Sequence, residues 1–323
     1  MNSRGKYGPW LDPALWAYID SVNAWYPPEI AGLPVDKQRA VYNRMCRAFR
    51  QDRPPGVKAV DALVTASRAL VAASRHDIPI RRYRLAGATP RARVLYFHGG
   101  GFILGGLESH DDICAEICAG TGYDVLSVDY RLAPEHLHPA AFDDALAAFE
   151  WAAAGSDLPL VLCGESAGGN LAAAVAQAAR HHPRAAIGQV LIYPGLGGNE
   201  ALGSYVEHAD APLLSTGDVA FYRDVRSARK QSPDDPTFSP LRDTDFSGLP
   251  PTVIVTAECD PLSSDGEAYR DRILQAGGKA WWHEEPRLVH SFLRARTTVP
   301  AAADAFARII AAVAALGRGE WPY

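Results

Sequence analysis

From Leu160 a four-residue apolar run ends at Gly164 and leads through Glu165-Ser166-Ala167-Gly168-Gly169 into an alanine-rich segment. A short apolar run ending in glycine is a buried strand, and Ala172, Ala173, Ala174, Val175 and Ala176 are strong helix formers. The turn between them is too tight for bulky side chains, so Gly164 and Gly168 stand where strand and helix cross. The pattern Gly-x-Ser-x-Gly in this setting lifts the Ser166 hydroxyl above the end of a parallel sheet. The helix N-terminus directs backbone N–H groups and partial positive charge toward the same place.

The remainder of the chain fits a sheet built around that bend. Arg93–Phe97, Tyr123–Val128, Ala186–Tyr193, Thr252–Ala257 and Lys279–His283 read as strands, with Ile80–Leu85 as an edge strand. Helices fall between them at Asp111–Ala119, Ala140–Ala154 and Asp265–Ala276, and Ala301–Leu316 closes the chain. Alternating strands and helices predict an α/β fold, a mostly parallel sheet with helices on both faces. Residues 1–75 read as a helical segment with helices after Asp12-Pro13, at Val35–Phe49, and from Val57 to Ser74. The catalytic domain is then 76–323. Residues 195–238 break the alternation, and the 195–230 part reads as an insertion over the carboxyl ends of the strands, with one helix near Thr216–Val225. Trp10, Trp16 and Trp25 pack the N-terminal helices, or give a lid an aromatic face toward a pocket.

With 32 Lys and Arg against 37 Asp and Glu, the net charge of −5 gives no footprint for nucleic acid or an anionic membrane. The N-terminus carries no apolar signal core, and no stretch approaches the about 18 apolar residues of a membrane span, so the expected compartment is the cytoplasm. The five cysteines complete no metal-ligand spacing and are expected to be reduced thiols; neither metal nor cofactor is expected.

A serine nucleophile needs a base, a group orienting that base, and donors for an oxyanion. His98-Gly99-Gly100-Gly101-Phe102 follows a strand, and three consecutive glycines expose their N–H groups. Gly100 and Gly101, with Ala167 after the serine, supply three donors, while His98 fixes the loop by a hydrogen bond. The chain order serine, acid, histidine selects His290, which follows the last strand by a short loop. His181 and His182 lie at the far end of the helix, His208 in the insertion and His283 inside the strand. For the acid, Asp260 before Pro261 is best placed; Glu258 is the alternative, and Asp265 reads as a cap of the next helix.

Taken together, His98-Gly99-Gly100-Gly101-Phe102, Asp129-Tyr130-Arg131-Leu132-Ala133-Pro134-Glu135, His138-Pro139-Ala140-Ala141, Gly164-Glu165-Ser166-Ala167-Gly168-Gly169, Ser239-Pro240-Leu241 and Asp260-Pro261-Leu262 resemble the hormone-sensitive-lipase-like carboxylesterases of the α/β-hydrolase superfamily. The resemblance spans roughly residues 80–295. It implies Ser166, Asp260 and His290 as a triad, Gly100, Gly101 and Ala167 as oxyanion donors, and Gly99 and Glu165 as loop-positioning residues beside His98. It also implies a cap formed by the N-terminus and the insertion, with Trp16, Trp25, Phe102 and Leu213 expected in the substrate pocket. The activity implied is hydrolysis of short- to medium-chain esters through an acyl-enzyme. The same residues would serve a lactone, amide or carbamate, and some relatives on this fold are receptors that lack the histidine. The partner expected is a small-molecule ester, and members of the family often dimerise, so a homodimer is among the expectations. Two stretches depart from the family pattern: Ser263-Ser264-Asp265-Gly266 where Arg-Asp-Glu-Gly is usual, and Ser291 where glycine usually follows the histidine.

Overall fold

The computed structural model describes residues 3–65, 76–229 and 234–323. Its strands are β1 (Val57–Thr65), β2 (Asp77–Leu85), β3 (Arg93–Phe97), β4 (Asp124–Val128), β5 (Leu160–Glu165), β6 (Gly188–Ile192), β7 (Thr252–Cys259) and β8 (Ala280–Val289). They form one sheet in the order β1-β2-β4-β3-β5-β6-β7-β8. The β1–β2 and β2–β4 pairs are antiparallel, and every other pair is parallel. The α/β-hydrolase architecture expected from the sequence is present. β5, the strand that carries Ser166 at its end, lies between β3 and β6 in the parallel part of the sheet.

The helices are α1 (Ser3–Tyr7), α2 (Pro13–Asn23), α3 (Val35–Phe49), α4 (Asp111–Thr121), α5 (Ala140–Ala154), α6 (Ala167–Ala178), α7 (Ser204–Glu207), α8 (Thr216–Ser227), α9 (Ser263–Gln275) and α10 (Pro300–Gly317). Strand residues alternate between two cores, as the two-residue period of a strand requires. Val94, Tyr96, Val161, Cys163, Val190 and Val253 join α4 and α10 on one face. Leu95, Phe97, Leu162, Leu191 and Ile254 join α5, α6 and α9 on the other. All five cysteines are free and buried.

Three expectations need correction. Val57–Thr65 is an edge strand paired with β2 from Val57↔Leu85 to Thr65↔Asp77, and not the start of a third helix. The sheet therefore begins inside the segment read as cap, and the rest of that expected helix, 66–74, lies outside the described residues. Val57, Val60 and Val64 recur at a helical spacing, but β-branched residues also suit a strand, and pairing with β2 settles the matter. Second, α10 is long and apolar enough to cross a membrane by length and composition. Here its apolar side (Ala302, Ala305, Phe306, Ile309, Val313) is buried in the core. Third, Asp265 does not cap α9; its carboxylate accepts N–H bonds from Leu196 (2.6 Å) and Gly197 (3.1 Å) and the Tyr205 hydroxyl (3.1 Å). Elsewhere the capping expected at Asp12 is present, its side chain accepting from the Ala14 N–H at 2.7 Å.

Candidate active site

Ser166 sits between β5 and α6 with φ 52° and ψ −117°, a region that a residue with a Cβ occupies only under strain. The surrounding glycines explain how the bend closes. A Cβ on Gly164 would lie 2.2 Å from the Gly168 carbonyl oxygen, and one on Gly168 2.0 Å from that of Phe97. Helix and strands thus touch backbone to backbone, and any side chain at these positions would push Ser166 out of place.

The Ser166 hydroxyl donates to His290 Nε2 at 2.9 Å, and His290 Nδ1–H donates to Asp260 Oδ2 at 2.6 Å. Asp260 is fully buried, and its other oxygen accepts the Leu262 N–H at 2.9 Å, so the carboxylate is held at both ends. A carboxylate on Nδ1 fixes the tautomer that leaves Nε2 as acceptor toward the serine. Glu258, the alternative acid, instead accepts the Arg287 N–H at 2.6 Å. His283 stacks on Trp281, and His208 contacts Tyr7 Oη at 3.0 Å; neither meets Ser166.

Gly100, Gly101 and Ala167 line the same cavity as Ser166 and His290. Among the described residues, none of their three amides has a protein acceptor, which leaves them free for a ligand oxygen. Gly100 has φ +124°, and a Cβ there would meet the Leu104 carbonyl oxygen at 2.2 Å, so only glycine permits the loop. His98 Nδ1–H donates to the Gly99 carbonyl at 2.8 Å, and the Tyr130 hydroxyl donates to the His98 carbonyl at 2.7 Å. Burial, reinforced by His110, pulls the His98 imidazole down to about 3, so it is neutral and structural.

Glu165 lies beneath the site. Its carboxylate accepts from His110 Nε2 and, at 2.7 Å, from the Tyr193 hydroxyl, whose ring lies 4.7 Å from that of His290. Burial pushes this carboxyl up, but His110, the buried Arg294 guanidinium and Tyr193 together outweigh it and hold the group at about 2. Arg294 also donates to the Ser109 carbonyl (2.8 Å) and to Tyr42 Oη (3.3 Å), tying the histidine loop to α3.

The two departures from the family pattern have structural consequences. Ser291 takes a left-handed conformation, φ 63° and ψ 24°, at the place where the family uses glycine. Ser264 and Ser204 bond reciprocally: the Ser204 N–H donates to Ser264 Oγ (2.8 Å) and the Ser264 N–H to Ser204 Oγ (2.9 Å), while Ser204 Oγ–H donates to the Pro261 carbonyl (2.7 Å). The cap is thereby fastened to the turn that bears Asp260.

The cavity holds about 720 Å³. Phe102 and Leu213 line it, both with positive φ (64° and 70°). Trp16 and Trp25 do not: Trp16 is buried in the core with Arg4 over its ring, and Trp25 is 39% exposed. The lining comes instead from Tyr18 and Val22, one turn apart on α2, from Tyr26 just beyond its end, and from Tyr42, Met45 and Tyr222. Trp16 lies two positions from Tyr18 and so faces away. The i, i+4 spacing of Tyr18, Val22 and Tyr26 was the available signal for that wall.

Comparison with known proteins identifies the family. A family defined by the alpha/beta hydrolase fold matches residues 94–294. Carboxylesterase NlhH of Mycobacterium tuberculosis is 38% identical over 253 residues, 73% of this chain and 78% of that protein. The ethyl acetate hydrolase of Pseudomonas putida is 33% identical over 249 residues, 74% of this chain and 78% of that protein. The solved structure of a hyperthermophilic esterase from Pyrobaculum calidifontis superposes with a TM-score of 0.84 at 30% identity, over 94% of this chain and 98% of that one. The chain belongs to the hormone-sensitive-lipase-like carboxylesterases of the α/β-hydrolase superfamily. Its activity is serine-dependent hydrolysis of carboxylic esters.

Proposed function

We propose that this protein hydrolyses short- to medium-chain carboxylic esters through an acyl-enzyme on Ser166. His290 takes the serine proton as Oγ attacks the ester carbonyl, then returns it to the departing alcohol. Asp260 holds the imidazole tautomer and stabilises the imidazolium. The amides of Gly100, Gly101 and Ala167 bind the oxyanion, each donor contributing ~3 kcal/mol. Water, activated by the same imidazole, then releases the acid. The observation that carries the reading is the continuous hydrogen-bonded line from Ser166 Oγ through His290 to Asp260. The chain-length preference is supported by a tyrosine-rich cavity of about 720 Å³ and by a relative whose substrate is ethyl acetate.

A series of p-nitrophenyl esters from acetate to laurate tests it. Turnover is expected to peak at or below about eight acyl carbons, as suits a pocket of this size. Ser166→Ala is expected to lose about a millionfold in kcat while keeping its circular dichroism and Tm. A maximum at laurate refutes the chain-length preference, and a Ser166→Ala protein that turns over normally refutes the nucleophile. The same reading includes a cytoplasmic location, supported by five free buried thiols, and a homodimer, for which light scattering is the test.

A further inference from the structure

One group in the cavity wall does not suit a wholly neutral substrate. Arg226, near the end of α8, lines the cavity with Phe102, Asn170 and Phe238 and is only 4% exposed. Its guanidinium is sandwiched between two rings, with the central carbon 3.6 Å from the Phe102 centroid and 4.2 Å from that of Phe238. One terminal nitrogen donates to the Phe238 carbonyl at 3.0 Å. The other has only long contacts, to Thr237 O (3.4 Å), His138 Nδ1 (3.4 Å) and Asn170 Oδ1 (3.5 Å), and Nε is buried with no acceptor.

Among the described residues no carboxylate forms an ion pair with Arg226, and the residues outside the description contain neither Asp nor Glu. Asp235 is reached through His138, whose Nε2 donates to it at 2.8 Å, and through Thr237, whose hydroxyl donates to it at 2.6 Å. Of the other arginines that line the cavity, Arg223 is answered by Glu200 and Arg294 by Glu165, while Arg242 is exposed to solvent. The arginine is also close to the chemistry: Phe102 follows the glycine loop, and Asn170 lies one turn beyond Ser166, its N–H donating to the Ser166 carbonyl at 3.1 Å. A buried cation without a counter-ion is unfavourable, and a guanidinium held against two rings is a preorganised fork for a carboxylate.

We propose that Arg226 forms an anion subsite of the Ser166 cavity, so that the preferred esters carry a carboxylate in addition to the scissile bond. This rests on the esterase reading of the same cavity. The partners of the class are half-esters of short dicarboxylic acids, with the charge on the acyl side, or esters of hydroxy acids, with the charge on the alcohol side. Burial pulls Arg226 down to about 9, with Tyr130 and Asp235 pulling the other way, which leaves the guanidinium charged at neutral pH.

The test compares kcat/KM of the purified full-length protein at pH 7.5 for two shape-matched pairs: mono-p-nitrophenyl glutarate against p-nitrophenyl pentanoate, and O-butyrylglycolate against propyl butyrate. The charged partner is expected to be favoured at least tenfold in one pair, which also assigns the side. In Arg226→Gln that ratio is expected to fall at least tenfold, and Arg226→Lys is expected to restore part of it. A neutral preference in both pairs, or a ratio unmoved in Arg226→Gln, overturns the subsite. Should Arg226→Gln fail to fold, the two wild-type ratios decide alone. Turnover of neutral esters with no charged preference defeats the subsite only, whereas turnover of none of the four defeats the esterase reading itself.

Discussion

The strand-end loops and the cap build the two halves of one cavity by different means. Around Ser166 the working parts are backbone: amides of Gly100, Gly101 and Ala167, and contacts at Gly164 and Gly168 that admit no Cβ. Across the cavity the cap contributes side chains, chiefly Tyr18, Tyr42 and Tyr222 on helices and Tyr26 just past the end of α2. Backbone geometry depends on residue type at single positions, whereas an aromatic wall tolerates exchange of one apolar shape for another. The first half therefore fixes the reaction, and the second adjusts which ester fits.

The largest expected effect that could break this division is at the acid. Asp260→Asn should lower kcat for p-nitrophenyl butyrate about ten-thousandfold at pH 7, because the amide stabilises the wrong imidazole tautomer. A loss under tenfold would move the acid elsewhere. Next, Gly100→Ala should cost a hundred- to a thousandfold in kcat, since its Cβ meets the Leu104 carbonyl oxygen and the loop must shift. Val22→Ala in the cap wall should change kcat less than tenfold and act mainly on KM; equal losses would erase the contrast.

A fourth test uses two buried carboxyls that differ in sign. Burial, partly opposed by the Leu196, Gly197 and Gly198 amides and the Tyr205 hydroxyl, raises Asp265 to about 7, whereas Glu165 is held near 2. A raised folded pKa means the fold prefers the protonated acid. The stability contributed by Asp265 is present below its unfolded pKa and is lost as pH rises toward about 7. For Glu165 the stability is present above the unfolded value and is lost only as pH falls toward 2. Melting curves of Asp265→Asn should therefore lack a decline in Tm that the wild type shows between about pH 4 and 7. The smallest effect is at Ser291, whose left-handed backbone suits glycine better. Ser291→Gly should gain about 0.5 kcal/mol, a rise of about 1–2 °C in Tm, because relief of strain is partly offset by the flexibility of glycine in the unfolded chain.

The loops were legible because their constraints are local. Gly164 through Gly168 and His98 through Gly101 encode a bend and a donor cluster within five residues, and His290 followed from chain order. Parallel strands such as Leu160–Glu165 stand out as unbroken apolar runs. The cap was legible in its helices, with α3 found at Val35–Phe49 as read, but not in which side those helices turn toward the cavity. Trp16 drew attention by size, yet the helical period sends it into the core and Tyr18 into the cavity. Val57–Thr65 was misread because an edge strand owes its form to Asp77–Leu85, far along the chain. Arg226 gave no signal at all: its isolation from carboxylates is a property of folded space, not of neighbouring residues.

The Ser204–Ser264 clasp makes the roof and the acid turn one mechanical unit. Prising α7 upward to admit a larger ester would drag on Pro261 and hence on Asp260, so room gained there would be lost as turnover. Widening the cavity at Tyr26 or Phe221, which line it and among the described residues hydrogen-bond to none of Ser166, His290 and Asp260, leaves that unit at rest. Redesign for bulkier alcohols therefore has a soft side and a stiff one, and the two serines mark the stiff one.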